Sequence, residues 1–107
     1  MFHKLLMGWK DKLKSEGFLD LGDFIIELIY VDCPCEPLPP MLAIYDKRGD
    51  EWYRVDERVE VNNYTEAFEW ACSILERIIQ GDEVPLVGLD GPAPPSVLER
   101  LRKALTR

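Results

Sequence analysis

Apolar residues recur at helical spacing in three stretches of the chain, one near each end and one in the middle. The stretches near the ends cover residues 2–13 and 97–105. The middle stretch has the most regular pattern, and Asn63 followed by Glu66 forms a capping pair at its start. We therefore expect three amphipathic helices, of which the helix of residues 63–80 is wide enough on its apolar side to cover a sheet.

Three segments between the first two helices have the pattern of strands. Residues 24–31 are rich in β-branched and aromatic side chains, and Glu27 is the only charged residue among them. This composition predicts a strand covered on both faces. Residues 41–45 form a second apolar strand. After a turn in which Gly49 is expected to take a positive φ, residues 52–61 alternate between apolar and polar positions, so one face of this third strand should be in water.

Residues 84–87 are a candidate fourth strand, which we place at an edge because Pro85 has no amide donor. The resulting order predicts an α+β fold: a small three-stranded antiparallel sheet, with this candidate edge strand, packed by a central helix and flanked by amphipathic helices at both termini. A second capping box, Ser96 with Glu99, is expected at the start of the last helix. The length of 107 residues predicts one domain, residues 1–107.

The composition indicates a folded protein of the cell interior. Hydrophobic residues make up 47% of the chain and charged residues 31%, which is ordinary for a globular domain. The sequence has neither an apolar run as long as a membrane span, roughly 18–20 residues, nor the pattern of a signal peptide, so we expect a cytoplasmic protein without membrane contact. Few Asn, Gln, Ser and Thr residues are present, a bias typical of thermophile proteins.

Charge is sorted along the chain. Residues 1–15 and 91–107 together hold eight Lys and Arg residues and two Asp and Glu residues, a net charge of +6, whereas residues 16–90 hold five and eighteen, a net charge of −13. The basic terminal helices could dock on the acidic body or contact an acidic partner. The candidate residues for contacts with phosphate or an acidic partner are Lys10, Lys12, Lys14, Arg100, Arg102 and Lys103.

The order of one helix, three strands and a second helix is similar to that of double-stranded RNA-binding domains. In that family the start of the second helix is basic and binds phosphate, whereas here it carries Glu66 and Glu69, which would repel phosphate. The resemblance therefore implies no site residues in this chain. A nucleic-acid-associated protein that uses the basic terminal helices, or an acidic nucleic-acid mimic, is one alternative function.

Four residues are candidate metal ligands: Cys33, Cys35, Cys72 and His3. The count suits a zinc site, but a single proline separates the first two cysteines and the other two ligands lie on different helices, which is not the spacing of structural zinc sites. Cys72 falls on the apolar side of its helix, where a cysteine packs as a small hydrophobe. We expect no cofactor, and a cysteine-based metal or redox protein is the second alternative.

Catalysis has little support, because His3 is the only histidine and no nucleotide-binding glycine motif is present. Aromatic and proline residues instead suggest binding. The candidate interaction residues are Trp9, Trp52, Trp70, Pro37 and Leu38, the last two in a proline-rich connector. The sequence thus predicts a small non-enzymatic protein–protein interaction or regulatory module, acting as a homodimer or as a subunit of a larger complex.

Overall fold

The structure is a computed structural model that describes residues 2–31 and 39–106, with side chains in the first helix described from residue 8. Three helices and six strands lie within these residues, and their order alternates helices with groups of strands. They are α1 (Phe2–Glu16), β1 (Phe18–Asp20), β2 (Phe24–Ile29), β3 (Met41–Asp46), β4 (Glu51–Val55), α2 (Tyr64–Gln80), β5 (Leu86–Gly88), β6 (Gly91–Pro92) and α3 (Pro95–Leu105). The α+β class is confirmed, but the sheet has six strands where three or four were expected.

The six strands form one antiparallel sheet in which each strand pairs with its neighbour in sequence, from β1 to β6. The prediction that residues 84–87 form an edge strand is wrong, because β5 pairs with β4 on one side and with β6 on the other. Pro85 lies just before β5, where its missing amide does not interrupt the pairing, and its carbonyl accepts a hydrogen bond from the amide of Asp56 at 2.8 Å.

The three helices cover one face of the sheet. Leu13 of α1, Ile74 of α2 and Leu101 of α3 are completely buried in a single cluster that also contains Ile26 and Ile44 from the sheet. Because side chains alternate along a strand, the residues between these positions point to the opposite face. Within the described residues no helix lies on that face, so the prediction that the strand of residues 24–31 is covered on both faces is wrong for the single chain.

The strand β4 ends at Val55, six residues before the end expected from its alternation. Extending the observed register places Glu57 opposite Pro40 of the preceding segment and Asp56 opposite Pro85. Prolines have no amide hydrogen, so neither neighbour can continue the ladder beyond this point. Alternation of apolar residues thus extends further than the hydrogen bonding that a strand requires.

The last two helices begin in different ways. The side chain of Asn63 accepts a hydrogen bond from the amide of Glu66 at 2.9 Å, which confirms the predicted capping pair at α2. The capping box predicted for the last helix is wrong: α3 starts at Pro95, and its cap residue, Pro94, makes no side-chain hydrogen bond. Proline suits the first helical position because the amide there has no partner within the helix.

The turn between β3 and β4 differs from the prediction at one residue. The positive φ of 51° belongs to Asp50 and not to Gly49, which is compatible with the tolerance of aspartate for this conformation. Gly49 is needed for a different reason, since a Cβ atom at this position would lie 3.0 Å from the carboxylate of Asp46. That carboxylate turns back over the turn and accepts a hydrogen bond from the amide of Arg48 at 3.1 Å.

Candidate interaction surface

The face of the sheet opposite the helices, which we call the open face, carries mostly apolar side chains. Phe18, Ile29, Met41 and Trp52, from four adjacent strands, are between 39% and 50% exposed on it. Ile25 and Tyr45 lie between them and are half-buried. Because neighbouring strands are about 4.8 Å apart, these side chains form one continuous patch.

One row of residues, which we call the charged row, crosses the whole sheet on the open face. The register places Phe18, Glu27, Ala43, Arg54, Val87 and Pro92 side by side, one from each strand in order. The short side chain of Ala43 lies between a carboxylate on β2 and a guanidinium on β4. Two opposite charges, separated by one strand, therefore interrupt a row whose other side chains are apolar.

The two charges of this row differ in their contacts. Arg54 lies 3.5 Å from an Asp56 carboxylate oxygen, and both side chains are more than half exposed, so this pair contributes little. Glu27 has no ion-pair partner within 4.0 Å among the described residues, although Phe18, Ile25 and Ala43 lie next to it on the open face.

Two aromatic rings stand next to this row. Tyr45 and Trp52 are partners across β3 and β4, with ring centroids 4.9 Å apart and ring planes inclined by 36°. The Tyr45 hydroxyl donates a hydrogen bond to the carboxylate of Asp50, and this contact raises the pKa of the tyrosine. The hydrogen bond orients the Tyr45 ring, against which Trp52 packs while half of its own surface remains in water.

The three predicted tryptophans have different environments. Trp52 lies on the open face, as its position in the alternating strand indicated. Trp9 is buried against the core, and Trp70 is half-buried at the side of α2. Trp9 therefore packs within the chain and does not contribute to a surface. Pro37 and Leu38 lie outside the described residues.

Three of the six candidate basic residues form hydrogen bonds within the chain. The Lys10 ammonium lies 2.6 Å from a Glu76 carboxylate oxygen, and this hydrogen-bonded contact raises the pKa of Lys10. Arg100 forms two hydrogen bonds with Asp46, and the Arg102 Nε donates to the carbonyl of Ile78 at 2.9 Å. Lys12, Lys14 and Lys103 have exposed side chains. The basic terminal helices thus dock on the acidic body.

Of the candidate metal ligands, the structure describes only the side chain of Cys72, because Cys33, Cys35 and the side chain of His3 lie outside the described part. Cys72 is buried on α2, and burial raises the pKa of its thiol to about 11. The described side chains include no group of three or more potential ligands that could hold a metal ion. Cys72 is therefore protonated and apolar in behaviour near neutral pH.

A cleft of about 630 Å³ lies beside the sheet, between β5, β6 and the start of α3. Four prolines, Val84 and Leu98 form much of its wall, and the residues that line it include neither histidine nor cysteine. Of its charged side chains, Asp56 and Glu83 lie in loops, whereas Glu99 and Arg102 lie on α3. This lining provides no nucleophile with an adjacent base.

The chain matches no family model, no curated protein and no solved structure. Within the part of the chain that the structure describes, every helix is too short or too polar to cross a bilayer. The chemistry of the surface itself therefore carries the functional inference, and its most distinctive part is the open face.

Sequence reasoning identified only Trp52 among the residues of the open face. It missed both Phe18 and Met41. Phe18 lies in the three-residue strand β1, which is too short for a detectable alternation. A usable signal was nevertheless present: the continuous apolar runs of β2 and β3 are typical of strands buried on both faces. The helices of the described residues cover only one of those faces.

Proposed function

We propose that this protein is a non-enzymatic protein–protein interaction module that binds through the open face of its sheet. The single observation that carries the proposal is an apolar face, spanning four strands, that no described element of the chain covers. Strands with the composition of β2 and β3 are normally buried on both sides, so the missing cover is supplied by association.

The distribution of exposed apolar residues supports this assignment. Seven large apolar side chains are exposed in the described residues, and four of them, Phe18, Ile29, Met41 and Trp52, stand on the open face. Val31 continues the same alternation just past β2. Scattered exposed apolar residues are normal on a monomer, whereas a contiguous patch of them marks a binding surface.

The side chains of this patch suit a binding role energetically. Burial of a large apolar side chain stabilises an interface by about 1.5–3 kcal/mol, less the cost of association. Trp52 and Tyr45 supply rigid aromatic area of the type that dominates interface energies. Glu27 and Arg54 add polar groups that restrict which partner and which orientation are accepted.

Site-specific photocrosslinking in the natural host tests this proposal. Trp52 is replaced by a photoreactive benzoyl-phenylalanine, and the matched control carries the same residue at Glu69, which is exposed on α2, on the helical side of the sheet. We expect crosslinked protein from position 52 and much less from position 69. Equal or absent crosslinking from position 52 would contradict the proposal, and the mass of the product identifies the partner as another copy or a different protein.

A further inference from the structure

We infer that the occupant of the open face is a second copy of this chain, related by a two-fold axis that runs parallel to the strands above Ala43; this rests on the proposed binding function of that face. The observation behind it is the charged row of the sheet. Glu27 and Arg54 lie at equal distances on either side of Ala43, one on β2 and one on β4.

A two-fold axis in this position exchanges the two sides of the row. It turns the second sheet over, so that β2 of each copy faces β4 of the other and each Ala43 faces the partner's Ala43. Glu27 of one copy then faces the partner's Arg54, and the same contact forms a second time on the other side of the axis. Self-complementary surfaces of this type are the requirement for a closed dimer.

The spacing of packed sheets allows these contacts. Facing sheets lie about 10 Å apart, a gap that a glutamate and an arginine side chain can bridge together. Aligned sheets are usually rotated by about 30°, but the two charges lie only one strand spacing, about 4.8 Å, from the axis, where such a rotation displaces them little. Opposite charges therefore remain paired in the rotated arrangement.

The apolar residues are complementary in the same arrangement. In the next row, Ile25 and Trp52 occupy β2 and β4 on either side of Tyr45, so Ile25 faces the partner's Trp52. The small Ala43 side chains on the axis let the larger neighbouring side chains of the two copies interdigitate. In this row apolar side chains therefore face apolar side chains.

A two-fold axis at right angles to the strands is unfavourable because it brings like charges together. An axis running across the strands along the charged row would place Glu27 against the partner's Glu27 and Arg54 against the partner's Arg54. Like charges in contact at an interface are strongly unfavourable. The arrangement of charges therefore selects the axis parallel to the strands.

Charge reversal tests the inference, with sedimentation equilibrium of the purified full chain as the measurement. We expect the native chain to form a dimer of twice its 12.4 kDa mass. Glu27→Arg places two arginines together at both contacts, and Arg54→Glu places two glutamates together, so each variant should dimerise at least about 100-fold more weakly. Glu69→Arg, an exposed charge reversal on the helical side, should leave dimerisation unchanged.

The decisive sample is an equimolar mixture of the Glu27→Arg and Arg54→Glu chains. In a heterodimer of these two chains, the arginine introduced at position 27 faces the glutamate introduced at position 54. At the other contact, the unchanged Arg54 of the first chain faces the unchanged Glu27 of the second. The mixture should therefore recover a dimer that neither variant forms alone. Both substitutions are at exposed positions, and unchanged circular dichroism spectra would establish that the variants are folded.

Every other outcome overturns the inference. Single variants that still dimerise like the native chain, or a mixture that does not recover the dimer, would exclude the stated axis. A native chain that stays monomeric at all concentrations would exclude a second copy as the occupant. If position 52 then still crosslinks to another protein, the proposed binding function stands without the dimer; if it does not, both fail.

Discussion

Removal of the buried negative charge at Asp46 should destabilise the protein more than any other single change to its ion pairs. Asp46 is only 3% exposed and accepts two hydrogen bonds from Arg100, which joins α3 to the end of β3. The guanidinium also lies over the ring of Phe24, 5.1 Å from its centroid. We consider Asp46→Asn, which retains the shape and the acceptor for the amide of Arg48.

The magnitude follows from how deeply each partner is buried. Loss of one partner from a fully buried ion pair costs about 3–5 kcal/mol. The Arg100 side chain remains 30% exposed, so it recovers part of its hydration, and we expect a loss of about 2–3 kcal/mol for Asp46→Asn. At about 4–8 °C per kcal/mol for a domain of this size, the melting temperature should fall by roughly 10–20 °C.

The assay is urea unfolding followed by circular dichroism at one fixed protein concentration, because association would make stability depend on concentration. A double-mutant cycle with Arg100→Met, which retains the aliphatic stem over Phe24, should give a coupling free energy of about 2 kcal/mol. The control is Glu57→Gln, which breaks a similar arginine–carboxylate pair with Arg77 at 3.0 Å whose side chains are more exposed. It should cost less than about 1 kcal/mol, and equal losses in the two variants would refute the reasoning.

Three further predictions concern single residues. Asn63→Ala should cost about 1 kcal/mol in urea unfolding, because the amide of Glu66 loses its capping acceptor; a loss below about 0.3 kcal/mol would contradict this role. Cys72, whose pKa is raised from 9.0 to about 11, should react with iodoacetamide at pH 8 about 100-fold more slowly in the folded than in the unfolded chain, as measured on its own peptide by mass spectrometry. Because the unfolded thiol releases its proton first, the same shift predicts stability that declines as pH rises above about 9; equal labelling rates would show that the thiol is accessible. Gly88→Ala should cost about 1–3 kcal/mol in urea unfolding, since the new Cβ would lie 3.1 Å from the Tyr53 ring, and an unchanged unfolding midpoint would show that the ring can move.

Strong local signals predicted the central helix and the sides of the strands. The helical period and the capping residues placed α2 between Asn63 and Gly81, as the structure confirms. Alternation in β4 correctly put Tyr53 and Val55 inside and Trp52 outside. These features depend on residues close in sequence, which is why pattern alone reveals them.

The missed features depend on pairing between distant residues. The strands β1 and β6 have three and two residues, too few for a period, and exist because a neighbouring strand offers unpaired hydrogen-bonding groups. The charged row on the open face has the same origin: Glu27 and Arg54 are 27 positions apart in sequence and come together only through the register of three strands. Composition alone did not associate them.

The apolar pattern of β2 also indicated more burial than a single chain provides. It predicted burial on both faces, and the described helices bury only one. In the proposed dimer the second face is buried by another copy, so a contact between chains would explain a prediction that is wrong for one chain alone.

An isotope-filtered nuclear Overhauser experiment tests this contact most directly. One population of the native chain carries ¹³C-labelled isoleucine methyl groups and is mixed with an unlabelled population, so that only contacts between copies are detected. We expect cross-peaks between the methyl groups of Ile25 in one copy and the indole protons of Trp52 in the other. A dimer without these cross-peaks, or with intermolecular cross-peaks confined to the helices, would contradict the proposed dimer.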